Sequence, residues 1–488
     1  MKDLSAIVKA NDIRGLVPDQ FGPDVARALG AAVADLLTGS GAAHTVVAVG
    51  QDMRETSPQL AGAFADGVTW RGLDVIHLGL CSTDMLYYVS GSEGIAGAMF
   101  TASHNPADYN GIKLCLPGAR PLGVDTGLAD VQHAAEAYLD QGIPAAPERG
   151  SAGQRDDALA DYAAYLRSLV DLSRIRPLKV VVDAGNGMAG LTAAAVLGTE
   201  AGLADLGLDL VVMFAELDGS FPNHEPNPLV PANLVDLQAA VIAEQADIGL
   251  AFDGDADRCF VIDERGGAVS PSAITTMVAL QEVAKDKADG GHGTIIHNLI
   301  TSRAVPEYVA AAGGRAVRTR VGHAFIKEQM AAQNAVFGGE HSAHYYFRDF
   351  FYADTGMLAA LHVLGVVGSP EQSMTLSELA EVHTPYVASG ELNSRVEDVT
   401  TALETVRALF AEDIAAGIVH TDDLDGLLVS HWHQSPRWWF NLRPSNTEAL
   451  LRLNVEAEDD DIMIKIRDGV LGALGARLPT DVDEEGPR

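Results

Sequence analysis

Residues 246–267 read ADIGLAFDGDADRCFVIDERGG. Two apolar runs, one ending in Ala251-Phe252 and one opening at Cys259-Phe260-Val261-Ile262, read as strands on either side of an acidic loop, Asp253-Gly254-Asp255-Ala256-Asp257-Arg258. Carboxylates at alternate positions supply hard oxygen ligands that can converge on one divalent cation. Left together without a counter-ion, they would repel one another and each pKa would rise. An EF-hand is the first rival, because Asp253, Asp255, Asp257 and Glu264 fall at its first, third, fifth and twelfth positions. The sixth position requires Gly and holds Arg258, and the flanks are strands rather than helices. A solvated acidic turn is the plain alternative. Three carboxylates would leave room for one anionic oxygen, the way Mg²⁺ commonly meets a phosphate.

Outward from this loop the chain alternates strands with helices. Upstream, LKVVVDAGNGMAG (178–190) is a buried strand running into a Gly-rich turn, and TAAAVLGTEAG (192–202) is the helix behind it. HTVVAVGQDMR (44–54), DVIHLGL (74–80) and GIAGAMFTASHNP (94–106) read as strands entering loops. The helical spacing of SPQLAGAFADGVTWRG (57–72) lies between the first two and opens on a Ser-Pro start signal. Downstream, GTIIHNL (293–299) and RAVRTRV (315–321) are strands, and SRAVPEYVAAAGG (302–314) and HAFIKEQMAAQ (323–333) are helices. Such alternation predicts parallel or mixed sheets covered on both faces. IPAAPERGSAG (143–153) reads as a linker. From about Thr384 the texture changes. WWFNLRPSNTEALLRLNVEAE (438–458) reads as two strands joined by a polar loop, with Leu451, Leu453 and Val455 alternating against Arg452, Asn454 and Glu456 as in a half-buried strand. The expected organisation is three similar mixed-sheet α/β domains, 1–148, 149–265 and 266–380, followed by a smaller α+β domain, 381–488.

A chain of 488 residues accommodates three or four domains. The formal net charge of −34 excludes nucleic acid and anionic membrane surfaces as partners. Any phosphate site must then be a local basic focus, which directs attention to single Arg, Lys and His residues. Three scattered cysteines, Cys81, Cys115 and Cys259, form neither a disulfide framework nor a zinc site. The opening MKDLSAIVKANDIRG has no apolar signal core, and no stretch approaches the ~20 apolar residues of a membrane span, so a cytoplasmic location is expected.

Three further loops carry candidate chemistry. Thr101-Ala102-Ser103-His104-Asn105-Pro106 presents a hydroxyl after a strand, a nucleophile or phosphate carrier if a base or metal activates it and a Pro-closed turn if not. Lys113 adds a positive charge shortly after. Arg443-Pro444-Ser445-Asn446-Thr447-Glu448 combines a guanidinium, hydroxyls and an amide on a turn, which suits a phosphate dianion or makes an Asx-type hairpin turn. Glu340, Ser342 and His344, at two-residue spacing, point one way from an extended segment and could read sugar hydroxyls.

In this order and spacing the four loops resemble the α-D-phosphohexomutase superfamily, especially its bacterial phosphomannomutase/phosphoglucomutase branch. TASHNP is similar to the phosphoserine loop, DGDADR to the metal loop, GEHSAH to the sugar loop and RPSNTE to the phosphate loop. The resemblance spans almost the whole chain and implies four domains around a central cleft, the last like a TATA-binding protein. It implies that Ser103 carries a phosphoryl group and, with Asp253, Asp255 and Asp257, holds Mg²⁺. Arg258 would neutralise charge, and Lys113, His323 (in VGHAFIK) and Arg14 (in NDIRG) would serve the proton transfers. Glu340, Ser342 and His344 would bind the sugar; Arg443, Ser445, Asn446 and Thr447 would bind the phosphate. The implied reaction interconverts mannose 6-phosphate and mannose 1-phosphate through a hexose 1,6-bisphosphate, in a monomer or homodimer. Phosphoglucomutase, dual-specificity and phosphoglucosamine mutase activities are the in-family rivals, and a metal-dependent phosphatase is the rival class. His341 departs from the Gln of the glucosamine branch and His344 from glucose-only relatives, which favours mannose. Two other departures are Ala343, where Gly is common, and TIIHNLITS (294–302), which lacks the family's sugar-contacting Lys and leaves Arg303 as a substitute.

Overall fold

The computed structural model describes residues 3–39, 46–444 and 450–475. The first unit contains β1 (Ile13–Leu16), β2 (Val46–Gln51), β3 (Asp74–Leu80), β4 (Ala96–Phe100), β5 (Tyr109–Leu116), β6 (Arg120–Pro121) and β7 (Ala152–Gln154). They pair in the order β1-β5-β4-β2-β3-β7, with β6 on β5. β4, β2, β3 and β7 are parallel, while β5 runs antiparallel to both β4 and β1. The stretch read as a linker thus ends as β7, which pairs with the otherwise open edge of β3.

The second unit contains β8 (Leu178–Asp183), β9 (Leu208–Met213), β10 (Ile248–Phe252), β11 (Cys259–Asp263) and β12 (Ala268–Val269), in the order β12-β11-β10-β8-β9. The third contains β13 (Thr294–Asn298), β14 (Arg315–Thr319), β15 (Phe337–Gly339), β16 (Tyr345–Phe347) and β17 (Ala353–Asp354), in the order β14-β13-β15-β16-β17. The mixed sheets expected from the sequence are present in all three units. In each, a parallel strand turns into an antiparallel neighbour: β4 into β5, β10 into β11, β15 into β16. The three connecting loops are TASHNP, DGDADR and GEHSAH, so one topological position, used three times, carries three of the four motifs.

The last unit is antiparallel throughout: β18 (Val387–Arg395), β19 (His420–Asp422), β20 (Leu427–His431), β21 (Trp438–Pro444) and β22 (Leu450–Ala457), in the order β18-β22-β21-β20-β19. Helices Val399–Leu409 and Asp460–Ala473 accompany it. β22 departs from the half-buried expectation. Leu451, Leu453 and Val455 are buried as predicted, but Asn454 and Glu456 are buried too. The physical reason is that this face meets the third unit, where Glu456 accepts from the Arg303 backbone N–H at 2.9 Å.

Helix Ser57–Trp70 begins at its Ser-Pro signal and helix Pro271–Ala288 has Ser270 as its N-cap. The helix behind β8 spans Ala189–Val196, starting before the predicted segment and ending short of Gly198 and Gly202. Helix Gly356–Val367 is apolar nearly all round, as a fully enclosed helix must be. One hydrophobic cluster runs continuously through the first three units, from Ala48 and Leu86 through Val180 and Phe252 to Phe337 and Leu379. The C-terminal unit has its own, built from Val406, Phe440, Leu453 and Leu471.

Candidate active site

The serine loop leaves β4 and bends so that Ser103 adopts φ +50°, a left-handed conformation that costs an L-residue about 1–2 kcal/mol. Ser103 is 2% exposed. Its Oγ donates to Asp253 Oδ2 at 2.8 Å and lies 3.1 Å from His104 Nδ1. Gly254 makes this approach possible, because a Cβ there would stand 2.4 Å from the Ser103 carbonyl oxygen. The acidic and serine loops, distant in sequence, therefore press backbone to backbone.

Asp253, Asp255 and Asp257 are all buried, and one oxygen from each lies within 4.8 Å of the others. Asp255 Oδ2 accepts from Thr83 Oγ1 at 2.6 Å and from Lys113 Nζ at 2.7 Å. Lys113 also reaches Asp257 Oδ2. The other oxygens, Asp255 Oδ1 and Asp257 Oδ1, are buried, and among the described residues no hydrogen-bond donor meets either. Two buried, unsatisfied carboxylate oxygens facing a third carboxylate suit a hard divalent cation, and the donor set fits Mg²⁺. Burial, then the neighbouring Asp255, pushes the Asp257 pKa up to about 6. Burial disfavours the Lys113 ammonium, but Asp255 and Asp257 outweigh it and hold its pKa above the usual lysine range.

Arg258 is 2% exposed, and its NH2 group contacts Asp253 Oδ2 at 2.8 Å and His104 Nδ1 at 2.6 Å. Burial, then the Arg258 charge, lowers the His104 pKa well below that of ordinary histidine. Arg14 donates to Asn105 Oδ1 at 2.8 Å and to Asp12 Oδ2 at 2.7 Å, so it braces the serine loop from β1.

The sugar-loop motif differs from its expected geometry. Residues 340–343 form a tight turn, not an extended segment: Ala343 N donates to Glu340 O at 3.1 Å, and Ala343 itself has φ +62°. This is the conformation that Gly adopts without a Cβ penalty. The turn sends Glu340 inward, where Oε1 accepts from Asn298 Nδ2 at 3.2 Å and Gly322 N at 3.1 Å, and Oε2 from Tyr346 Oη at 2.8 Å. Ser342 Oγ and His344 Nδ1 remain together, 3.0 Å apart. His344 Nε2 lies 3.7 Å from Asp257 Oδ1, and an isolated bridge pairs Arg258 with His344, so the sugar and metal loops adjoin.

His323 opens helix His323–Gln333 directly after Gly322. Burial, then the Lys327 charge, lowers its pKa to about 3, leaving a neutral imidazole. Lys327 is itself buried, 2.6 Å from Asp354 Oδ1. Arg303 stacks over Trp432 with its guanidinium carbon 5.4 Å from the ring, at the contact with the C-terminal unit. Arg443, on β21, donates to Glu391 Oε2 at 2.7 Å. Ser445, Asn446 and Thr447 lie outside the described residues.

Sequence reasoning missed two residues. Arg54, at the end of QDMR, binds the serine loop from beneath. Asp84 sits where three units meet, accepting from Tyr162 Oη at 2.6 Å and Thr355 Oγ1 at 2.7 Å as well as from Ser82. The only local signal for either was a charged residue beside an apolar run.

Family models described as phosphoglucomutase/phosphomannomutase domains I, II and III match residues 5–138, 160–267 and 271–386, and the model of the C-terminal domain matches 391–473. A phosphomannomutase of Salmonella typhimurium is 41% identical over 471 residues, covering 96% of this chain and 98% of its own. A Xanthomonas campestris protein named for phosphohexose mutases is 40% identical over 94% of this chain and 96% of its own. The crystal structure of a phosphoglucomutase/phosphomannomutase family protein from Burkholderia thailandensis superposes with a TM-score of 0.81 at 30% identity, covering 97% of this chain and 99% of that one. With four consecutive domain matches, near-complete coverage by relatives and a shared four-unit architecture, the chain belongs to the phosphoglucomutase/phosphomannomutase family.

Proposed function

We propose that this chain is a phosphomannomutase that interconverts mannose 6-phosphate and mannose 1-phosphate through a phosphorylated Ser103 and a hexose 1,6-bisphosphate. The observation that carries the reading is the Ser103 hydroxyl 2.8 Å from Asp253, beside two buried carboxylate oxygens that lack partners among the described residues. Mg²⁺ held by Asp253, Asp255 and Asp257 would neutralise charge on the transferring phosphoryl oxygens. As the bond from phosphorus to Ser103 Oγ breaks, a bond forms to the free hydroxyl oxygen of a hexose monophosphate. The hydroxyl proton is taken up, and a proton returned to Ser103 Oγ, by the group of Lys113, His323 and Arg14, of which Lys113 lies against Asp255 and Asp257. Arg258 supports the charge from the Asp253 side, and Arg14 holds the loop. Ser342 and His344 read the sugar, with Glu340 shaping their turn from inside. Arg443 and the Ser445-Asn446-Thr447 segment hold the far phosphate. A cytoplasmic setting belongs to the same reading, supported by three free, buried cysteines.

The name of the Xanthomonas relative specifies a phosphohexose and no single epimer, and the second reading is dual use of mannose and glucose phosphates. The deciding assay supplies mannose 1-phosphate or glucose 1-phosphate with Mg²⁺ and catalytic hexose 1,6-bisphosphate, beside Ser103→Ala. Conversion of mannose 1-phosphate by the wild type and not by Ser103→Ala is expected. Equal efficiency with glucose 1-phosphate would establish dual specificity, release of inorganic phosphate would make the chain a phosphatase, and no conversion would sink the reading.

A further inference from the structure

Beneath the serine loop, Arg54 commits every donor it has. Its Nε bonds Asp52 Oδ2 at 3.2 Å. One terminal nitrogen donates to the carbonyls of Pro106 at 2.6 Å and Tyr109 at 2.9 Å, and the other to those of Ser103 at 3.0 Å and Asn105 at 2.6 Å. Five N–H groups in a planar fork are what a guanidinium offers, and four of them go to the serine loop and the first residue of β5. The side chain is 1% exposed, and Phe221 of the second unit lies across it, 5.1 Å from the guanidinium carbon. The fork is itself braced: Asp52 Oδ1 accepts from Ser57 Oγ at 2.6 Å, and Asn110 Nδ2 donates to Ser57 Oγ at 2.9 Å.

A phosphoryl group on Ser103 would carry oxygens that repel backbone carbonyls. Four carbonyl oxygens bound to one buried cation are not free to turn toward it. The same bonds fix Ser103 in the left-handed backbone that aims its Oγ at Asp253. We propose that Arg54 is a positioning residue for phosphoryl transfer, holding the serine loop in the one arrangement that tolerates and aims the phosphorylated serine. This rests on the mutase reading of Ser103. Lysine keeps the charge but has one donor atom, so it cannot span four carbonyls.

The test compares wild type, Arg54→Lys and Asp52→Asn in the mannose 1-phosphate assay, with kcat expressed per phosphorylatable serine, counted by labelled hexose bisphosphate. A loosened reacting group lowers kcat without weakening ground-state binding, so Arg54→Lys should lose at least about 30-fold in kcat with KM within about threefold of wild type. Asp52→Asn, which keeps Arg54 but weakens its brace, should lose roughly three- to tenfold in the same parameter. A role in folding alone would reduce the number of phosphorylatable sites and leave kcat per site unchanged; that result in Arg54→Lys overturns the proposal. If Arg54→Lys does not fold, Asp52→Asn decides on the same criterion. An inactive wild type would instead refute the mutase reading, so the two failures are distinguishable.

Discussion

At the scale of single residues, the site depends on carboxylates that are buried before they are satisfied. Asp257 combines an ion pair to Lys113 with an Oδ1 that meets no hydrogen-bond donor among the described residues, so Asp257→Asn should weaken Mg²⁺ binding by roughly 100-fold, read by calorimetric titration. The same titration on Ser103→Ala should give a smaller loss, because a neutral hydroxyl beside Asp253 is a weaker ligand for a hard cation than a carboxylate. These residues were legible in the sequence because each sits inside a short contiguous motif whose chemistry is local. Arg54 and Asp84 were not, since their partners are up to 271 positions away along the chain and no spacing rule connects them. Glu340 shows a different limit. Its identity was evident, but its direction depends on a left-handed Ala343, which a period-2 reading of the segment does not anticipate.

Among elements, the contact between helices Pro271–Ala288 and Gly356–Val367 buries Glu282, with Oε1 3.6 Å from His362 Nε2. Burial raises the Glu282 pKa to about 7, and burial followed by the Lys285 charge lowers that of His362 to about 3. A carboxyl with a raised folded pKa contributes stability that is fully present below its unfolded value, near 4.5, and is lost as pH rises through about 7. His362 acts oppositely, losing stability as pH falls below its ordinary value toward 3. Glu282→Gln isolates the first term, whose size is on the order of 3 kcal/mol. Its Tm relative to wild type should therefore rise from pH 5 to pH 8; a constant difference would refute the assignment. Element type was readable from periodicity in all four units. What periodicity missed was burial from outside the element, as on the second face of β22, where a neighbouring domain supplies the cover.

For the whole molecule, a net charge of −34 means that dispersed carboxylates repel one another in the compact state. Screening relieves this, so raising KCl from 10 mM to 0.5 M should increase Tm by roughly 3–6 °C, whereas an unchanged or lower Tm would mean that local ion pairs dominate. Unfolding should also divide. The C-terminal unit meets the third mainly through polar contacts: Trp432 Nε1 to Glu307 at 2.7 Å, Val321 N to Asp425 at 3.1 Å, and Arg318 to Asp422. Scanning calorimetry should resolve a separate, smaller transition carrying about a fifth of the total enthalpy. The continuous cluster through the first three units and the private one in the fourth bear on descent as well as on melting. Where that shared cluster crosses from one unit to the next, a substitution must be answered by residues of the neighbouring unit, although the first unit also keeps a large core of its own around Phe21, Phe64 and Phe100. The fourth answers mostly to itself, and is the part that recombination between relatives could exchange whole.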